Sequence, residues 1–184
     1  MKILLIRHGE SEYNAKTTTA YDSPLTKKGL TQAKHLGKKI KKDRLEIDEI
    51  YTSTLMRSKQ TAEAISKATK IPIKKSFKEL DEYSNYHISN GLVRLTSPRL
   101  RALKNLLKEI TKNKSKNKTI LIVAHGRTNR IIIAYLLKIP IGKHILRLVQ
   151  HNTGLSILSW NKTYKNWTLE SLNDLTHIPK RFKN

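Results

Sequence analysis

The sequence predicts an α/β fold, a three-layer α/β/α sandwich around a mostly parallel central sheet. Three observations lead there. Short apolar runs alternate with amphipathic stretches from the start of the chain, the pattern of parallel strands joined by covering helices. Two of those runs, Ile3-Leu4-Leu5-Ile6 and Ile120-Leu121-Ile122-Val123-Ala124, hold nothing polar, as strands buried on both faces do. The 184 residues, 38% hydrophobic and 28% charged, suffice for one sizeable core. No internal repeat or linker divides them, so residues 1–184 are expected to form a single domain.

The elements follow in order. Lys2 to Ile6 reads as a strand. From Thr26 to Lys42, Leu30, Ala33, Leu36, Gly37 and Ile40 recur at helical spacing while Lys27, Lys34, Lys38 and Lys41 take the outer side, with Thr26 as the cap. Ile47 to Thr52 is a second strand. Thr54 to Thr69 is a second helix with Leu55, Ala62, Ile65 and Ala68 turned inward, and Pro72 breaks the pattern. Residues 76–96 read as loop-rich, and Pro98 opens a helix to about Lys112. Thr119 to Ala124 is a buried parallel strand and Arg127 to Lys138 the helix after it. Thr153 to Trp160 and Tyr164 to Leu169 are two strands joined by a polar turn at Asn161-Lys162.

Composition removes several function classes. The absence of cysteine excludes a disulfide scaffold, a Cys-ligated metal and a cysteine nucleophile. The longest purely apolar run, Ile131 to Leu137, is far shorter than the roughly 20 residues a membrane-spanning helix needs. Arg7, His8 and Glu10 interrupt the first apolar run before it could form a signal-peptide core, so a cytoplasmic location is expected. A net charge of +23 points first to nucleic acid. However, 27 of the 37 basic residues are lysines spread over almost every segment, without zinc-finger, helix-turn-helix or RNP-like patterns. A solvated lysine-rich surface is the better reading.

Chemistry concentrates where two strands end alike. Ile3 to Ile6 runs into Arg7-His8-Gly9-Glu10, and Ile120 to Ala124 into His125-Gly126-Arg127. Ligands of open α/β sheets bind beyond the carboxyl ends of the strands, so these histidines converge if their strands are neighbours. A glycine after each histidine is expected to let the chain turn sharply and bring backbone N–H groups to a ligand. Arg7, beside the end of an apolar strand, is costly there unless an anion partners it.

The segment Leu5-Ile6-Arg7-His8-Gly9-Glu10-Ser11-Glu12-Tyr13-Asn14 resembles the signature of the histidine phosphatase superfamily, the phosphoglycerate mutase-like proteins. Further resemblances follow in order: Asp22-Ser23-Pro24-Leu25-Thr26 to Ala33, Tyr51-Thr52-Ser53-Thr54-Leu55-Met56-Arg57 to Ala62, Val123-Ala124-His125-Gly126, and Asn173-Asp174 with His177. They extend over essentially the whole chain. The resemblance implies that His8 is the nucleophile and forms a phosphohistidine; neutral imidazole suits that role without a metal. It places Arg7, Arg57 and His125 around the phosphoryl oxygens, with Asn14 and the backbone at Gly126 adding donors. One charge pair at 4 Å is worth only about 1 kcal/mol in water and about 4 at an effective dielectric of 20, so several fixed donors are required.

The family's Leu-any-Glu pattern falls on Leu80-Asp81-Glu82, making Glu82 the acid that protonates the leaving group, with Glu79 and Asp81 as solvated neighbours. The Gly, Trp and Glu-Gly elements that often follow are replaced by Tyr83 to Gly91. His35, His87, His144 and His151 are read as background, His177 as structural, and Trp160 and Trp167 as packing residues.

The implied function is a metal-independent phosphomonoesterase acting on a small phosphorylated metabolite, with no cofactor and no membrane or nucleic-acid partner. Alternatives are a phosphoglycerate mutase, a protein phosphohistidine phosphatase, and a noncatalytic phosphate- or polyanion-binding module. Mutases of the family carry a longer insertion after the acid, whereas residues 83–100 look abbreviated. The oligomeric state is left open.

Overall fold

A computed structural model describes residues 1–83, 88–89, 92–93, 98–113, 117–179 and 182. The elements are β1 (Lys2–Arg7), α1 (Lys27–Lys42), β2 (Glu49–Ser53), α2 (Met56–Thr69), β3 (Ile73–Phe77), β4 (Ile88–Ser89), β5 (Leu92–Val93), α3 (Pro98–Ile110), β6 (Thr119–Ala124), α4 (Gly126–Leu136), β7 (Leu155–Asn161) and β8 (Asn166–Asp174). Six strands form one sheet in the order β3-β2-β6-β1-β7-β8. β3, β2, β6 and β1 run parallel, and β7 and β8 are added antiparallel. This is the mostly parallel α/β sheet expected.

Successive residues of a strand point to opposite faces, and the apolar runs therefore supply two cores. Ile3, Leu5, Ile120 and Ile122 pack on one face against Leu100, Leu103 and Leu107 of α3 and Ile131 to Ala134 of α4. Leu4, Ile6, Leu121 and Val123 pack on the other against Leu36 and Ile40 of α1 and Ala62 and Ile65 of α2. α1 and α2 approach closely because Gly37 has no side chain. A Cβ there would lie 2.9 Å from that of Ala68 and 3.1 Å from the Ala64 carbonyl oxygen.

Several boundaries differ from the sequence expectation. β3 was not expected: Ile73-Lys74-Lys75-Ser76-Phe77 carries too little apolar character to read as a strand. It is an edge strand, where lysines discourage further pairing. β8 continues past Leu169 to Asp174. Leu30 is exposed, and Gly29 and Gln32 take the inner face of α1 in its place. Thr26 caps α1 as expected, its hydroxyl accepting from the Gly29 N–H. His35, read as background, is half-buried near Phe182. Trp160 and Trp167 pack edge to face on the last two strands, with centroids 5.8 Å apart. Residues 84–87, with His87, and 90–91 and 94–96 of the loop-rich stretch lie outside the described residues. Among the described residues no helix is long and apolar enough to cross a membrane.

Candidate active site

Adjacency of β1 and β6 is the fact the sequence could not supply. Arg7 lies opposite Ala124, and the His8 N–H donates to the Ala124 carbonyl at 3.0 Å. The next residue on each strand is a histidine, so the rings of His8 and His125 meet with centroids 4.9 Å apart. Arg57, on the first turn of α2 after the neighbouring strand, donates from Nε to His8 Nε2 at 3.2 Å. It is buried, against the ordinary expectation for a helix arginine.

The His8 ring is held in one orientation. Its Nδ1 lies 2.6 Å from the Gly9 carbonyl oxygen. A carbonyl only accepts, so Nδ1 carries the proton and Nε2 keeps a lone pair on the Arg57 side. Burial, then the positive charges of Arg7 and Arg57, hold the His8 pKa well below the ordinary imidazole value, outweighing the Gly9 carbonyl. The ring is neutral near pH 7.

The role expected for Gly9 changes. Neither Gly9 nor Gly126 adopts the left-handed backbone conformation. Gly9 is needed for contact, since a Cβ would lie 2.6 Å from the Gly29 carbonyl oxygen at the start of α1. At Gly126 a Cβ would sit at ordinary contact distance from the Arg7 side chain, nearest at 3.6 Å, so space does not demand a glycine there.

Arg7, His8, Asn14, Arg57, Glu82 and Gly126 line a cleft of about 340 Å³, to which Tyr13, Tyr21, Arg127, Arg130 and Gln150 also contribute. Four guanidiniums against one carboxylate make it an anion site. Arg7 donates from Nη1 to the Gln150 carbonyl at 2.7 Å, while its buried Nε has no partner. Asn14 is exposed, and its Oδ1 accepts from Asn152 Nδ2 at 3.3 Å, leaving its own N–H groups as the donors it can offer. Glu82 reaches the start of α4, where its Oε1 accepts from the N–H groups of Tyr83 at 3.1 Å and Arg127 at 3.2 Å. Burial raises its pKa above the ordinary carboxylic range, against the pull of Arg127, Arg7 and Arg57. It is a carboxyl poised to hold a proton beside cations.

His125 caps α4 and is fully buried. Its Nε2 lies 2.8 Å from Ser53 Oγ, and its Nδ1 has no partner. Burial and the neighbouring His8, Arg57, Arg7 and Arg99 hold its pKa well below the ordinary value. Asp81 is not the solvated neighbour expected. It is buried, and its carboxylate accepts from the Ser53 hydroxyl, the Thr54 N–H and the Thr54 hydroxyl, each at 2.8 Å. Its own carbonyl accepts from Thr128 on α4.

Other residues of the site carried little signal. Tyr21 accepts from Arg57 Nη1 through its carbonyl at 2.7 Å, and its ring lies under that guanidinium. Asn152 donates to the His8 carbonyl at 2.9 Å, and the Thr153 N–H donates to that of Arg7 at 2.9 Å. Thr153 does so with a φ of 56°. The polar run Gln150 to Thr153 just before β7 was the available clue. His177, expected to be structural, lies 3.1 Å from the Thr153 hydroxyl. Among the described residues no group of three or more His, Asp or Glu could hold a metal.

The family model of the histidine phosphatase superfamily (branch 1) matches residues 3–92 and 96–175. The chain is 30% identical over 165 residues to a 2,3-bisphosphoglycerate-dependent phosphoglycerate mutase of Bartonella bacilliformis, covering 73% of this chain and 80% of that protein. It is 48% identical over 65 residues to the protein of the same name from Bartonella henselae, but spans only 32% of that relative's length. A mutant phosphoserine phosphatase from Entamoeba histolytica, solved with phosphoserine, superposes with a TM-score of 0.77 at 25% identity. That match covers 97% of this chain and 99% of the other.

Proposed function

Since the chain belongs to the histidine phosphatase superfamily (branch 1), we propose that it is a metal-independent phosphomonoesterase that hydrolyses a small phosphorylated metabolite through a phosphohistidine on His8. The observation that carries this reading is the fixed tautomer of His8: Nδ1–H is spent on the Gly9 carbonyl, and a neutral Nε2 faces a cationic cleft. Nε2 attacks phosphorus in line, and the bond to the ester oxygen breaks. Arg7, Arg57 and His125 surround the transferring oxygens, with Asn14 and the Gly126 N–H as further donors. Glu82, protonated, gives its proton to the leaving alkoxide. Its carboxylate then takes a proton from water, which attacks the phosphohistidine, breaks the N–P bond and releases inorganic phosphate.

Hydrolysis is favoured over the mutase reading by the full-length likeness to the phosphoserine phosphatase, a superposition that covers 97% of this chain and 99% of that one. Glu82 in the cleft favours an ester substrate, with a leaving group that needs a proton, over a protein phosphohistidine. A cleft of about 340 Å³ suits a small metabolite. The test is hydrolysis of p-nitrophenyl phosphate and a panel of phosphometabolites in EDTA. Release of inorganic phosphate is expected. Binding without turnover would favour a noncatalytic module, an isomerised ester would favour the mutase, and a requirement for added metal would overturn the mechanism.

A further inference from the structure

Three strand ends meet behind the histidines. Ser53 closes β2, His125 follows β6, and Asp81 directly follows the short turn Lys78–Leu80 after β3. The Ser53 hydroxyl has one proton, which goes to Asp81 Oδ1 at 2.8 Å, because an ionised carboxylate can only accept. Ser53 Oγ must therefore accept from His125 Nε2 at 2.8 Å, which makes His125 the Nε2–H tautomer. The remaining ring nitrogen, Nδ1, is buried without a partner in a ring 4.9 Å from that of His8.

As a bare lone pair, Nδ1 would repel a phosphoryl oxygen. It becomes a donor only when the ring is protonated. Asp81, for its part, is a buried carboxylate whose hydrogen-bond partners are all neutral, and the Arg57 charge reaches it only through space, so a further positive charge along its hydrogen-bonded chain is favourable.

We propose that Asp81, acting through the Ser53 hydroxyl, is a positioning residue for His125: it fixes the Nε2–H tautomer and supports the imidazolium that donates Nδ1–H to the transferring phosphoryl group. The proton arrives with the phosphoryl group, as on a phosphomonoester monoanion, and departs with inorganic phosphate, so the cycle is balanced. His8, Arg57, Arg7 and Arg99 all face His125 and oppose its protonation. The dianion and Asp81 offset them. This inference rests on the phosphoryl-transfer reading of the cleft.

Asp81→Asn and Ser53→Ala test it, read by kinetics and by 15N NMR of the histidine rings. Each variant is expected to lower kcat by about tenfold to a hundredfold, the worth of a hydrogen bond to a charged group, with KM little changed. The double variant should be no worse than either single one, as for residues on one path. Ser53→Thr, which keeps the hydroxyl, should restore most of the rate. Thr54→Val removes another Asp81 partner and should lower the melting temperature while sparing kcat, which a purely structural role for Asp81 would not allow. In wild type the His125 ring should show Nε2–H, and inorganic phosphate should protonate Nδ1. Variants as fast as wild type, or additive losses, would overturn the relay. If wild type hydrolyses no phosphomonoester, phosphoryl transfer fails, but the relay is still read in the free protein. An Nδ1–H tautomer in wild type, or an Nε2–H signal unmoved in both variants, would refute it alone.

Discussion

Strand β2 carries a polar cluster at each end, and the two are built in opposite ways. At its first residue Glu49 accepts from the Tyr51 hydroxyl at 2.7 Å and pairs with Lys118 at 2.8 Å and with Lys74. Burial alone would raise its pKa, but Lys118, Lys74 and Tyr51 bring it down to about 2. Each charged group there has an ion-pair partner. At its last residue Ser53 adjoins a region of surplus positive charge, with Arg7 Nε and His125 Nδ1 buried and unpartnered. The first cluster is complete by itself, whereas the second becomes complete when an anion enters. The unsatisfied buried groups of Arg7 and His125 therefore single out the carboxyl ends of β1 and β6 as the candidate site of this sheet.

That contrast can be broken at either end. The largest effect is expected from His8→Ala, which removes the nucleophile and should lower kcat by at least roughly a thousandfold, measured as phosphate release. Arg57→Ala should follow with a loss of about a hundredfold to a thousandfold, as for removal of one fixed transition-state donor. Glu82→Gln should slow alkyl phosphomonoesters by about a hundredfold and p-nitrophenyl phosphate much less, because only the poor leaving group needs the proton. Equal losses would remove Glu82 from that role.

The pH profile of kcat follows from two opposite shifts. His8 is neutral above its lowered pKa, and Glu82 is protonated below its raised one. Activity should thus rise from acid as His8 deprotonates and fall as pH passes through the Glu82 pKa, and Glu82→Gln should abolish the second limb. The smallest effect belongs to the other end of β2. Glu49→Gln should leave kcat unchanged and lower stability by about 0.5–1 kcal/mol near neutral pH, as for an ion-pair network at the protein surface. A carboxylate with a depressed pKa contributes above its unfolded value. The Glu49 contribution should therefore fade as pH drops below the ordinary carboxylate range toward about 2, measured by urea unfolding at several pH values.

How far the sequence was legible follows the same division. Alternating apolar runs gave β1, β6 and the helices, because burial on two faces leaves a local pattern. β3 was hidden, since an edge strand buries little and carries lysines. Arg7, His8, Arg57 and His125 were legible because the motifs around them are local in sequence. The link from Asp81 to Ser53 spans 28 residues and joins the end of β2 to the turn after β3. No periodicity encodes such a contact, and Asp81 in isolation looks like any acidic loop residue. The Asn152 and Thr153 clamp on the His8 loop was hidden for the same reason.

Transfer of the phosphoryl group to His8 is tested most directly by trapping it. The enzyme is mixed with 32P-labelled phosphomonoester in EDTA, quenched in alkali during turnover, and digested for peptide mapping. An alkali-stable, acid-labile label on the peptide containing His8, absent from His8→Ala, is the predicted result. Steady hydrolysis with no trapped label under rapid quench, or a label on another residue, would contradict it.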